Sequence, residues 1–206
     1  MISKKYETFS FENVPEWDLV PEEKLEFSHW GSEADYDTYF KMCFLKNKGI
    51  FVRMRSSETN LRSICLNTDE PVYEDSCMEF FICAVEGRQE YINFEINPRG
   101  VYLSEFGKNK ADRVFLKTLT DKVPVIHTEV NDEGWSLELF VSCELISEVY
   151  KVNFTAEECT IKGNFYKCGD KTQKVHYQSY NEMSDLPPGF HNPERFARIS
   201  VKRKDK

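Results

Sequence analysis

The stretch Trp135-Ser136-Leu137-Glu138-Leu139-Phe140-Val141 places Trp135, Leu137, Leu139 and Val141 on one side of an extended chain, with Ser136 and Glu138 opposite. A period of two with one apolar side is the mark of a β-strand lying on a core. Upstream, Asn131-Asp132-Glu133-Gly134 joins this run to a second one, Val123–Val130, and the pair reads as a hairpin. The same pattern recurs. Tyr39–Leu45 and Ile50–Arg55 flank Asn47-Lys48-Gly49, where Gly49 is expected to supply the positive φ of the turn. Glu79–Val85 and Tyr91–Asn97 flank a Gly-containing loop, and Cys159–Tyr166, Val175–Tyr180 and Phe196–Val201 follow. Only Ser142–Tyr150 suggests a helix. Strands separated by turns without helical crossovers predict an all-β, antiparallel sandwich with at most one or two short helices. Residues 1–24, which carry Pro15 and Pro21, are expected to be an extended lead-in, and 25–206 a single sandwich domain.

Composition supports strands and narrows the partners. The 206 residues include 16 Phe, 10 Tyr and 3 Trp, and 27 Lys+Arg against 35 Asp+Glu give a net charge of −8. Phosphate binding is built on clustered positive charge, so neither nucleic acid nor an anionic membrane surface is an expected partner. The seven cysteines are odd in number, irregularly spaced and free of any CxxC pair. Together with an N-terminus lacking an apolar leader stretch, they suggest free thiols and a cytoplasmic protein.

The tract Tyr91-Ile92-Asn93-Phe94-Glu95-Ile96-Asn97 carries the chemistry. Ile92, Phe94 and Ile96 form its apolar side, which aligns Tyr91, Asn93, Glu95 and Asn97 on the other. Two asparagines around a glutamate are poor strand formers, and suggest a polar surface that hydrogen-bonds a ligand as readily as a solvated outer face. Upstream, Asp75 and Glu79 could act as paired carboxylates of a glycoside hydrolase or lyase, with Glu95 as a further acid. The histidines, at 29, 127, 176 and 191, show no close-spaced metal-ligand pair, and there is no nucleotide-binding glycine loop. Tyrosines beside Asn, Gln and Glu, as in His176-Tyr177-Gln178-Ser179-Tyr180-Asn181, suit a sugar: rings stack on its C–H face and amides or carboxylates take its hydroxyls.

Tyr73-x-Asp75-Ser76-Cys77-x-Glu79-Phe80-Phe81, followed by Tyr91-x-Asn93-Phe94-Glu95-x-Asn97-x-x-Gly100, resembles the signature of family 9 carbohydrate-binding modules. Tyr180-Asn181 and Pro193-x-x-Phe196-Ala197-Arg198-Ile199 resemble that family's ending, and the likeness runs from about Leu25 to Val201. The resemblance implies a β-sandwich of the DOMON group, immunoglobulin-like or jelly-roll-like in layout, that binds sugar without catalysis. It implies a soluble mono- or oligosaccharide held between Tyr73 and Tyr180, with Glu79, Asn93, Glu95, Asn97 and Asn181 around its hydroxyls. Both ring positions are tyrosine where the family usually has tryptophan, which implies weaker or altered sugar preference. A partner glycosidase and a role in carbohydrate catabolism also follow from it. No cofactor is expected; some family members carry structural calcium, for which no ligand set can be assigned here. A DOMON-type haem or redox-cofactor binder, with His or Met as axial ligand, is a further alternative.

Overall fold

The alternating runs are strands in the computed structural model, which describes residues 4–157 and 159–203. Those described residues form fourteen strands. They are β1 (Lys5–Phe11), β2 (Glu23–Lys24), β3 (Phe27–Ser28), β4 (Thr38–Leu45), β5 (Gly49–Ser56), β6 (Cys77–Cys83) and β7 (Tyr91–Ile96). They continue as β8 (Tyr102–Gly107), β9 (Val114–Phe115), β10 (Val125–Asn131), β11 (Gly134–Ser142), β12 (Cys159–Gly169), β13 (His176–Ser179) and β14 (Ala197–Arg203). The single α-helix among these residues, α1 (Cys143–Tyr150), is capped by the Ser142 hydroxyl, which accepts from the Leu145 N–H.

All strands join one sheet, whose main path runs β10-β11-β5-β4-β1-β14-β12-β6-β7-β8-β9. The sheet is mixed. The hairpins pair antiparallel as expected, but β1 lies between β4 and β14 and is parallel to both. Residues 5–11 of the expected extended lead-in thus form an interior strand, and the expected antiparallel sheet is corrected to a mixed one. The outermost residues of the expected division, 1–3 and 204–206, lie outside the described ones. Strand β1 is hidden in the sequence because its core-facing positions include Thr8 and Ser10, which are buried but polar. Their hydroxyls donate to the Met42 and Ala156 carbonyls.

The sheet curls over on itself. Strands β4 and β12 are three steps apart along the path, or about 14 Å in a flat sheet. Yet the Phe40 and Phe165 rings stack with centroids 3.6 Å apart. Between the two halves lies the main core, which includes Phe80, Phe94, Leu137, Leu139 and Val141. The apolar sides of β7 and β11 face it as the alternation requires. At the first hairpin Gly49 has the expected positive φ (158°), Asn47 (φ 55°) is left-handed as well, and a Cβ on Gly49 would lie 2.2 Å from the Val141 carbonyl oxygen.

A second apolar cluster, absent from the sequence reading, covers the outer side of β6, β7 and β12. Phe81, Tyr91, Tyr166 and Leu103 pack there against Val72, Met183, Phe190 and Phe196 from connecting segments. Consequently β7 is buried on both sides along its whole length.

Candidate functional site

Because Met78, Phe80 and Ile82 face the main core, alternation turns Cys77, Glu79 and Phe81 outward on β6. Register carries that side across the sheet. Glu79 pairs with Glu95 on β7 and with Tyr166 on β12, Cys77 pairs with Cys168, and Cys168 pairs with Tyr177 on β13. The second apolar cluster leaves a gap over this surface, a cleft of about 370 Å³. Glu79, Glu95 and Cys168 line it together with Tyr73, Tyr177, Trp30, Phe115 and Phe190, and with Arg113, Glu105, Lys110, Asp170 and His191. Tyr73 comes from a 3-10 turn (Val72–Glu74) just before β6 and is 40% exposed, the most open of the rings buried or lining here. Trp30 meets Tyr177 edge-on at 5.8 Å and Phe190 at 5.3 Å, which fixes one wall.

The polar floor has an uncommon electrostatic state. Glu79 is only 3% exposed and Glu95 2%. Burial pushes the Glu95 carboxyl up to about 8, against the pull of Arg113. Burial, then Cys168 and Glu95, drive Glu79 well above the usual carboxylate range. Both are therefore driven toward the protonated form, and a neutral carboxyl both donates and accepts hydrogen bonds. Burial and the charges of Arg113 and Lys110 push His191 down to about 3, so its ring is neutral; Nδ1 shares a 3.0 Å hydrogen bond with the Tyr91 hydroxyl. Arg113 is held by Glu105 at 2.6 Å and donates to Asn93 Oδ1 at 3.2 Å. Two buried atoms on this floor, Glu95 Oε2 and Arg113 Nε, have no protein partner.

The residues singled out from sequence separate into three groups. Tyr73, Glu79 and Glu95 come together in the cleft. Asn93 sits behind them, donating from Nδ2 to Glu95 Oε1 at 3.0 Å and so orienting the acid. Asn97, Tyr180 and Asn181 are elsewhere. Asn97 Oδ1 accepts from the Arg99 and Val101 N–H groups, closing the turn after β7, and its Nδ2 donates to Asp75 and to the Cys65 carbonyl. Tyr180 lies in the main core, edge-on to Phe40 at 4.9 Å, and its hydroxyl donates to the Lys5 carbonyl. The structure therefore does not bring Tyr73 and Tyr180 across one cleft. Asn181 accepts from the Lys4 N–H and donates to the Arg195 carbonyl, tying β1 to the closing loop. Asp75 is also structural: its Oδ2 takes the Ile64 and Cys65 N–H groups and the Asn97 amide.

Tyr177, Trp30 and Arg113 were not found by sequence reasoning. For Tyr177 the sequence carried only its place in the stretch of tyrosines and amides at 176–181; the structure adds the register opposite Cys168, on the side of the sheet that Glu79 shares.

The sequence profile of carbohydrate-binding family 9 matches residues 19–201. The chain belongs to carbohydrate-binding family 9. Among solved structures, a candidate carbohydrate-binding protein of Bacteroides uniformis is 22% identical, with a TM-score of 0.83 over 98% of this chain and 100% of that one. A family 9 module of Caldicellulosiruptor kristjanssonii in complex with glucose is 12% identical, with a TM-score of 0.71 over 98% of this chain and 97% of that one. The same organism's family 9 module with cellotriose gives 0.70 at 12% identity, over 98% and 95% of the two chains. A search of curated proteins by sequence returned no match. At these identities the likeness establishes the shared fold, and this family 9 chain must be read through its own cleft.

Calcium, which the family resemblance raises, takes six to eight oxygen ligands. Among the described residues, the only grouping of three ligating His, Cys, Asp or Glu side chains is Cys77, Glu79 and Cys168. Two sulfurs and one carboxyl do not fit that ion.

Proposed function

We propose that this family 9 protein binds a soluble mono- or oligosaccharide, without catalysis, in the cleft floored by Glu79 and Glu95. One observation carries the reading: two buried carboxyls lie side by side beneath aromatic walls that include Tyr73 and Tyr177. Rings supply stacking faces for a pyranose, and neutral carboxyls match hydroxyls that both donate and accept. Arg113 Nε and Glu95 Oε2 offer one further donor and acceptor. Asn93 acts on the ligand through Glu95 and Arg113. The glucose and cellotriose complexes of the Caldicellulosiruptor module support a β-glucoside as the class to try first.

A hydrolytic role for Glu79 and Glu95 is disfavoured by the same chemistry. A retaining glycosidase needs one ionised carboxylate as nucleophile beside its acid, whereas both acids here are driven toward the neutral form. Asp75 is engaged by three donors away from the cleft. A haem reading would rest on His191, the one histidine lining the cleft, whose Nε2 lies 3.9 Å from Glu95 Oε1. The proposal extends to a DOMON-like sandwich description of the curled sheet, a cytoplasmic setting supported by seven unpaired thiols, and a role in carbohydrate catabolism beside a partner glycosidase. Titrating soluble glucosides against intrinsic fluorescence tests the binding. Saturable quenching is expected with the intact protein and not with Glu79→Gln; turnover of a chromogenic glycoside would overturn the non-catalytic part.

A further inference from the structure

Of the four buried acids among the described residues, three have different company. Asp75 receives two backbone N–H groups and an amide, and Glu58 has Lys167 and the Ser76 hydroxyl. Glu79 has a single hydrogen-bond donor, the Cys168 thiol, 2.9 Å from Oε1. A thiol is a weak donor. It is a poor sole partner for a carboxyl that is 3% exposed. Cys77, 0% exposed, faces Cys168 directly across the β6–β12 ladder. One ligand atom from each of Cys77, Glu79 and Cys168 lies within 4.8 Å of the other two.

We propose that Cys77, Glu79 and Cys168 form a site for a thiophilic divalent cation of the zinc class at the floor of the cleft. Tetrahedral zinc has Zn–S bonds of about 2.3 Å and Zn–O bonds of about 2.0–2.2 Å, which puts its ligand atoms roughly 3.5–3.8 Å apart. The observed grouping brackets that spacing, with Cys168 Sγ 2.9 Å from Glu79 Oε1 and all three atoms within 4.8 Å of one another. Each strand is fixed by its ladder, so the three side chains are brought together before any ion arrives. On binding, the two thiols and the carboxyl each lose a proton to solvent, and the metal takes two S⁻ and one O⁻ ligand. Three protein ligands leave a fourth position, which opens toward the cleft because Glu79 and Cys168 line it. Water or a ligand hydroxyl can occupy that position. Four-coordinate Cys₂Glu sites suit zinc and its analogues far better than calcium or magnesium. The site shares Glu79 with the proposed sugar cleft but does not depend on sugar binding there.

Cobalt(II) provides the probe, because thiolate coordination gives an intense near-ultraviolet charge-transfer band and tetrahedral geometry gives strong visible bands. Full-length protein, reduced and freed of metal, is titrated with cobalt and then with zinc. One equivalent of cobalt per chain is expected to produce both sets of bands, and zinc to bleach them. Cys77→Ser and Cys168→Ser should each weaken binding by roughly 100-fold or more. Glu79→Gln should keep the charge-transfer band but shift the visible ones. Cys159→Ser, at a partly exposed thiol outside the grouping, should leave the spectrum unchanged. Absence of the charge-transfer band in the intact protein overturns the proposal, as does a band that survives in both Cys77→Ser and Cys168→Ser. Tyr73→Ala separates the two readings: it should reduce sugar binding and retain the cobalt spectrum.

Discussion

Lys167 and Cys168 are consecutive on β12, and their side chains leave the sheet on opposite sides to meet two differently treated acids. On one side, Lys167, fully buried, forms a 2.6 Å ion pair with Glu58. His176, pushed down to about 4 by burial and by Lys167 and therefore neutral, lies 2.6 Å from the same ammonium. On the other side, Cys168 offers Glu79 only a thiol, and Glu95 keeps an unpartnered oxygen. The first acid is neutralised inside the protein by a cation. Burial drives the second pair toward the protonated form, which a ligand can exploit. Burial alone therefore does not identify a binding group; what matters is whether the fold supplies the acid with a counter-charge.

The largest expected effect breaks the first side of this comparison. Lys167→Met strands Glu58 without its cation and should cost about 3–5 kcal/mol of stability, measured by urea unfolding. Sugar affinity of the protein that remains folded should not change. Next, Glu79→Gln should do the reverse. Loss of a buried hydrogen-bonding group from the cleft should weaken sugar binding by about 1–3 kcal/mol in a calorimetric titration, with stability unchanged or increased. Tyr177→Ala should remove a stacking face worth about 1 kcal/mol beyond the area it buries, visible as a roughly fivefold or greater rise in Kd. The smallest effect is a slope. Glu95 binds its proton up to about 8 in the fold, against an ordinary value of 4.5. Its contribution is therefore fully present below about pH 4.5 and is lost as pH rises to about 8. Glu95→Gln should flatten that decline in thermal unfolding scans across the same range.

How much the sequence disclosed depended on which side of a strand carried the signal. The hairpins around Gly49 and Gly134 were legible because Ile50, Val52, Leu137 and Leu139 alternate with polar neighbours. Strand β1 was not, since Thr8 and Ser10 point inward and meet carbonyls instead of hydrocarbon. Glu79 and Glu95 were legible through the family-like motif and the odd polarity of the Tyr91–Asn97 tract. The same polarity misled at Asn97, whose amide serves a turn, and at Asn181, whose amide ties down a loop. Tyr180 and Tyr177 could be told apart only by their registers against β12, which sequence does not supply. Trp30 and Arg113 reach the cleft from distant connections, so their roles depend on how the sheet curls and where the second apolar cluster leaves its gap.

The most direct measurement is a calorimetric titration of glucose and cellotriose into the intact protein, Glu79→Gln and Tyr180→Phe. Saturable binding by the intact protein, a marked loss in Glu79→Gln, and unchanged affinity in Tyr180→Phe, whose ring belongs to the core, are expected. Binding that persists in Glu79→Gln, or that disappears in a folded Tyr180→Phe, would contradict the assignment of the cleft.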